Sequence, residues 1–121
     1  KEDLNAYMTT KFIPQMRKHF VDAGIDMKED GDVAQIDGGF LISVKGQVFS
    51  VSEDYSWDTD IRNVYVMGSG GDVALGALAA LGVEKVKTVN QAETMIRKAI
   101  AIAIQYDNMC SEPIHIFKQF K

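Results

Sequence analysis

The sequence predicts an α+β layered fold built on largely antiparallel sheet. Three observations point there. Apolar residues recur at helical spacing through Asp3–Ala23, the period switches to two from Phe40, and two alanine-rich helical stretches follow a glycine-rich turn. Runs of strands followed by runs of helices, rather than strict alternation, indicate helices stacked on an antiparallel sheet. The chain of 121 residues has no repeat, low-complexity tract or linker, so residues 1–121 read as one domain with a sizeable core.

In the first element, Leu4, Tyr7, Met8, Phe12, Met16, Phe20 and Ala23 share a helix face, Asp3 is placed to cap it and Gly24 to end it. Lys11, Arg17 and Lys18 form its wet side. Pro14 removes one backbone hydrogen bond and pushes on the Thr10 carbonyl, at a cost of about 3 kcal/mol, so a kink or two shorter helices are expected. Ile25–Asp32 is a polar connection. Its Glu29-Asp30-Gly31-Asp32 lacks the spacing and the final glutamate of an EF-hand and reads as a solvated turn.

From Gly38-Gly39 onward the pattern is β. Phe40, Ile42 and Val44 alternate with Leu41 and Ser43, Lys45-Gly46 makes a turn, and Val48, Phe49 and Val51 complete a hairpin. Ser52–Arg62 reads as a loop, and Val64–Met67 as a short buried strand. Then come an alanine-rich helix over Val73–Leu81, stopped by Gly82, and a second helix over Asn90–Gln105. Asn90 with Glu93 three residues on resembles a capping box. Pro113–Phe120 reads as a closing strand with His115 on its polar side.

Composition excludes several function classes. The net charge of −4 is scattered, so no basic face invites nucleic acid. A single cysteine, Cys110, rules out an internal disulfide, and His19 and His115 stand apart from other ligand types, so neither metal nor cofactor is expected. No apolar run reaches the roughly 20 residues that span a bilayer, and no signal peptide is visible. A reducing, cytoplasmic setting without membrane is the expectation. The start at Lys1-Glu2-Asp3 suggests removal of an upstream segment or a piece of a longer chain.

The most informative motif is Met67-Gly68-Ser69-Gly70-Gly71-Asp72, between a strand and a helix. Glycine there permits positive φ and close approach, and the helix N-terminus behind it favours a hydroxyl or small anion. It lacks the Gly-Lys-Ser/Thr of a P-loop and the glycine spacing of a dinucleotide fingerprint, and Val66 replaces the first glycine of a nucleophile elbow. By itself it is also compatible with a purely structural turn.

From Gly39 on, the order of elements resembles the proteasome β-subunit and HslV-type peptidase family over roughly 80 residues of this chain. The features are an apolar hairpin, a polar loop, a strand ending in Gly68-Ser69-Gly70-Gly71, two alanine-rich helices, Asp107 and a closing strand. Asp3–Ala23 corresponds to the family helix before the hairpin. The resemblance implies part of a four-layer αββα N-terminal-nucleophile hydrolase sandwich. In it a threonine hydroxyl attacks a peptide carbonyl, with its own α-amino group as base. Ser69 matches the serine beside that amine, with Gly68, Gly70 and Gly71 in a turn that contacts substrate or anion. Asp107 matches a supporting aspartate. The serine expected three residues later is replaced by Cys110, with Ser111 next, so the hydroxyl's role stays open between positions.

The family's nucleophile lies on strands ahead of these residues. Met8-Thr9-Thr10 mimics a processed start, but helical periodicity rather than a strand follows, so neither threonine is taken as nucleophile. The resemblance further implies a peptide or protein substrate, a ring-like or dimeric homo-oligomer, an ATPase partner, and N-terminal strands present elsewhere, including on a separate segment. Two alternatives remain: a non-catalytic structural member of the same family, and a small anion-binding module using the Gly68–Asp72 turn.

Overall fold

In the computed structural model, which describes residues 3–26 and 35–120, the chain opens with a continuous helical path. The acidic Glu29–Asp32 turn lies outside the described residues. Asp3 caps the helix as expected, its carboxylate accepting from the N–H groups of Asn5 (3.0 Å) and Ala6 (3.4 Å), donors that a first turn leaves without partners. Leu4–Tyr7 (α1) and Ile13–Asp22 (α2) are α-helical, and Met8–Phe12 between them is a π turn. Pro14 gives the physical reason. It has no N–H to donate and crowds the carbonyl four residues back. The wider turn, in which the Ile13 N–H reaches back to the Met8 carbonyl, accommodates it. The expected division into two shorter helices is thus met by a local widening between them.

The end of α2 is a Schellman motif. Gly24 takes φ +70°, its N–H bonds to the Val21 carbonyl (3.0 Å), and the Ile25 N–H bonds to the Phe20 carbonyl (2.9 Å).

The chain divides into two compact units, Lys1–Ile42 with Phe49–Thr59, and Ser43–Val48 with Asp60–Lys121. In the first, Met8, Phe49 and Val51 are buried together, flanked by Leu4, Phe12, Ile13, Met16, Ile42 and Trp57. Phe49 meets Trp57 edge-on at 5.2 Å between ring centres, a favoured aromatic geometry. Ile36 and Tyr55 form a second cluster against Ile13, Met16 and Phe20.

The hairpin forms as read. Phe40–Val44 (β1) and Gln47–Val51 (β2) are joined at Lys45 (φ +50°) and Gly46 (φ +77°). Positive φ at both positions gives the mirror-image turn whose twist suits a two-residue hairpin. Trp57–Asp58 (β3) pairs antiparallel with β2, Ser50 opposite Asp58 and Val51 opposite Trp57, for a sheet order β1-β2-β3. This corrects the reading of Ser52–Arg62 as loop throughout, because a two-residue strand has no alternation to detect.

In the second unit, Gly71–Ala80 (α3) starts two residues before Val73, so the glycine motif supplies its first turn. Gly82 ends it at φ +78°, and a 3₁₀ turn, Val83–Lys85, follows. Val89–Tyr106 (α4) is capped by Thr88 rather than Asn90. The Thr88 hydroxyl oxygen accepts from the Gln91 N–H (3.2 Å), and the Gln91 side chain accepts from the Thr88 N–H (3.3 Å). Glu93, expected in the box, instead pairs with Arg97 (3.1 Å) and Lys118 (2.6 Å).

Helices α3 and α4 pack side by side with Leu78, Ala99 and Ala103 buried. Small side chains let the backbones approach closely. The two other expected strands are corrected. Val64–Met67 and Pro113–Phe120 carry no ladder among the described residues. Ile114 and Ile116 are still half-buried while His115 and Phe117 are exposed. Side-chain bonds hold that segment instead: Ser43 Oγ donates to Gln119 Oε1 (2.5 Å), Gln119 Nε2 donates to the Ser43 carbonyl (3.3 Å), and Lys118 pairs with Glu93. No helix among the described residues is long and apolar enough to cross a membrane.

Candidate functional site

The glycine turn and the end of α4 meet in the second unit. Gly68 takes φ +93°, a conformation that disfavours any side chain, and its carbonyl accepts from the Gly71 N–H at 3.0 Å. Gly70 is the N-cap of α3, and its carbonyl accepts from the Ala74 N–H at 3.0 Å. Asp72 in the first turn sets a negative charge at the positive end of the helix dipole.

Facing this turn, Asp107 ends α4, its N–H bonded to the Ala103 carbonyl at 2.8 Å. Its carboxylate accepts from the Met109 N–H at 2.8 Å, and its carbonyl accepts from the Cys110 N–H at 3.1 Å. The Met109 N–H above all, then the Ser69 hydroxyl and the Cys110 thiol, hold the Asp107 carboxyl below the usual carboxylate range, against partial desolvation. At neutral pH it is therefore an anion fixed by its own turn. An ionised carboxylate beside an exposed hydroxyl accepts hydrogen bonds, and can hold an ammonium group or orient a hydroxyl donor.

Gly70 makes the meeting sterically possible. A Cβ on Gly70 would lie 2.6 Å from Cys110 Sγ, 3.2 Å from Ala103 Cβ and 3.5 Å from Asp107 Oδ2. Ala103 and Asp107, four apart, present one face of α4 to the turn. An apolar groove of about 450 Å³ adjoins it, lined by Tyr65–Gly71, by Ala74 and Leu78 of α3, by Ile96, Ala99, Ile100 and Ala103 of α4, and by Cys110.

The structure brings Ser69 and Asp107 together, with Gly70 and Gly71 buried behind them and Gly68 exposed. Ser111 is exposed and contributes nothing to the bonds around Asp107, whereas Cys110 does. Thr9 and Thr10 lie exposed in the π turn, where the Thr10 hydroxyl donates to the Ala6 carbonyl (2.7 Å). His19 lies in the last turn of α2 and is exposed, as is His115. Among the described residues no three His, Cys, Asp or Glu side chains are placed to share a metal ion.

Sequence reasoning missed the seat of Cys110 on Gly70. Its one signal was a glycine with no side chain opposite the small Ala103 of a helix ending in Asp107. Compared with known proteins, the chain matches no protein-family model, no curated protein and no solved structure.

Proposed function

We propose that this chain is part of a proteasome/HslV-like N-terminal-nucleophile threonine peptidase domain, with Ser69 and Asp107 supporting a nucleophile supplied by residues other than these. One observation carries the reading. The glycine turn that opens α3 and carries Ser69 packs against the end of α4, a Cβ built on Gly70 lying 3.5 Å from Asp107 Oδ2, so that the turn adjoins an ionised carboxylate. A hydroxyl and a fixed carboxylate are suited to hold the α-amino group of an N-terminal threonine and orient it as base. Cys110 takes the place beside Asp107 that the family gives to serine, and Ser111 is not the hydroxyl of this network. The domain of which the chain is part is a four-layer αββα sandwich in the cytoplasm, assembled as an oligomer and acting on peptide or protein substrates. An anion-binding role for the turn is disfavoured by Asp72, which adds negative charge to the first turn of α3.

The test is turnover of a fluorogenic peptide by the full-length protein. The reading expects activity that Ser69→Ala lowers about tenfold or more while far-UV circular dichroism is unchanged, and no activity from residues 1–121 alone. Turnover by residues 1–121 alone would overturn it, and a full-length protein that assembles without any turnover would assign the chain to the structural members.

A further inference from the structure

We infer that Gly70 is a positioning residue: by having no side chain it seats the Cys110 thiol against the turn and so keeps Ser69 in register with Asp107. The inference rests on the reading of Ser69 and Asp107 as supports of a reaction centre.

The steric argument is direct. A Cβ at position 70 meets Cys110 Sγ at 2.6 Å, a separation that real Cβ atoms essentially never show. Ala103 Cβ lies within 3.2 Å as well, and an alanine Cβ is fixed to its helix with no torsion to relieve the contact. The side chain able to yield is Cys110, by rotation about its single χ1. Such a rotation changes where the thiol sits relative to the Asp107 carboxyl, which it helps to hold. Gly70 does not owe its identity to backbone conformation, since its φ of −82° suits any residue. Close approach is what excludes a side chain, and the atoms approached are those of the site. A glycine serving only the fold of the turn would be expected at positive φ, as at Gly68.

Gly70→Ala and Gly70→Ala/Cys110→Ala, with Cys110→Ala as reference, test this in the full-length protein. A displacement of about 1 Å at a supporting group corresponds to a loss of about 10- to 100-fold in kcat with KM little changed. That loss is expected for Gly70→Ala, with recovery in the double variant to the level of Cys110→Ala. An NMR titration of the Asp107 carboxyl supplies a readout independent of turnover. Its midpoint should rise in Gly70→Ala beyond that of Cys110→Ala, since Ser69 is displaced as well, and fall back in the double variant to that of Cys110→Ala.

Wild-type kcat and wild-type titration in Gly70→Ala would overturn the inference, and so would a double variant as impaired as Gly70→Ala. If no protein turns over, wild type included, the peptidase reading fails while the titration still decides whether Gly70 sets the Asp107 environment. Should Gly70→Ala not fold, methylthiolation of Cys110 in the folded protein adds bulk from the other side. Loss of turnover and a raised Asp107 midpoint, both reversed by reduction, are then expected, and no change would overturn the inference.

Discussion

Tyr55→Phe removes one oxygen, and its effect on stability should depend on pH with a definite sign. Tyr55 is nearly buried (6 % exposed), and its hydroxyl donates to Asp26 Oδ2 at 2.6 Å. The Arg17 guanidinium lies 5.6 Å from the ring centre. Burial first, then the hydrogen bond to Asp26 and the charge of that carboxylate, push the Tyr55 hydroxyl up from 10.0 to about 12, with Arg17 opposing. Two units correspond to about 2.7 kcal/mol as an upper bound. Because the Asp26 partner is half-exposed to solvent, screening reduces this to about 1–2 kcal/mol, in line with a hydrogen bond to a charged group. A group whose folded pKa is raised contributes its full stability below the unfolded pKa and loses it as pH rises through the folded one. Wild type should therefore exceed Tyr55→Phe by about 1–2 kcal/mol at pH 7 to 9, and the difference should close between about pH 10 and 12.

Urea unfolding followed by the fluorescence of Trp57, the single tryptophan and a neighbour of Phe49 in the same unit, measures this directly. A gap that stays constant through pH 11.5, or no gap at pH 7, would refute the reasoning.

Three further outcomes are expected. Thr88→Ala should cost about 1 kcal/mol, a fall of about 4 °C in Tm, while Asn90→Ala should be nearly neutral; equal costs would contradict the capping register. Phe49→Ala, at a fully buried position, should lose about 3–5 kcal/mol by urea unfolding and shift Trp57 emission to the red. Asp107 titrates low in the folded state, so its contribution is present above the unfolded pKa of about 3.9 and disappears as pH falls through the folded value. Asp107→Asn should accordingly be less stable than wild type at pH 7, and the difference should shrink as pH falls below the unfolded pKa of about 3.9.

Local signals were legible where one short stretch determines the outcome. Lys45-Gly46 specified its turn because a two-residue hairpin needs positive φ at both positions, and Asp3 and Gly24 marked the ends of a helix by chemistry within four residues. Legibility failed where competing partners were comparable. Thr88/Gln91 and Asn90/Glu93 both offer a capping pattern, and the choice is visible only once Glu93 is found beside Lys118. Pro14 announced a disturbance without saying that a π turn would absorb it.

The alternation in Pro113–Phe120 reported which side chains are half-buried, and said nothing of a ladder, because periodicity records burial and not pairing. Tyr55 at φ +67° left no trace in sequence, since its conformation is imposed by the packing of its ring and its bond to Asp26. At the site, Ser69 and Asp107 were picked out through family resemblance, while the close approach of Cys110 to Gly70 depends on side-chain packing between segments distant in sequence.

The proposal that Ser69 and Asp107 assist an attacking threonine outside these residues is open to a direct chemical test. Treating the full-length protein with a peptide-linked electrophile and locating the adduct by mass spectrometry tests it most directly. The account predicts modification of an N-terminal threonine outside Lys1–Lys121, formed more slowly in Ser69→Ala and Asp107→Asn than in Asn90→Ala. An adduct on Ser69 or Cys110, or equal rates in all three variants, would contradict it.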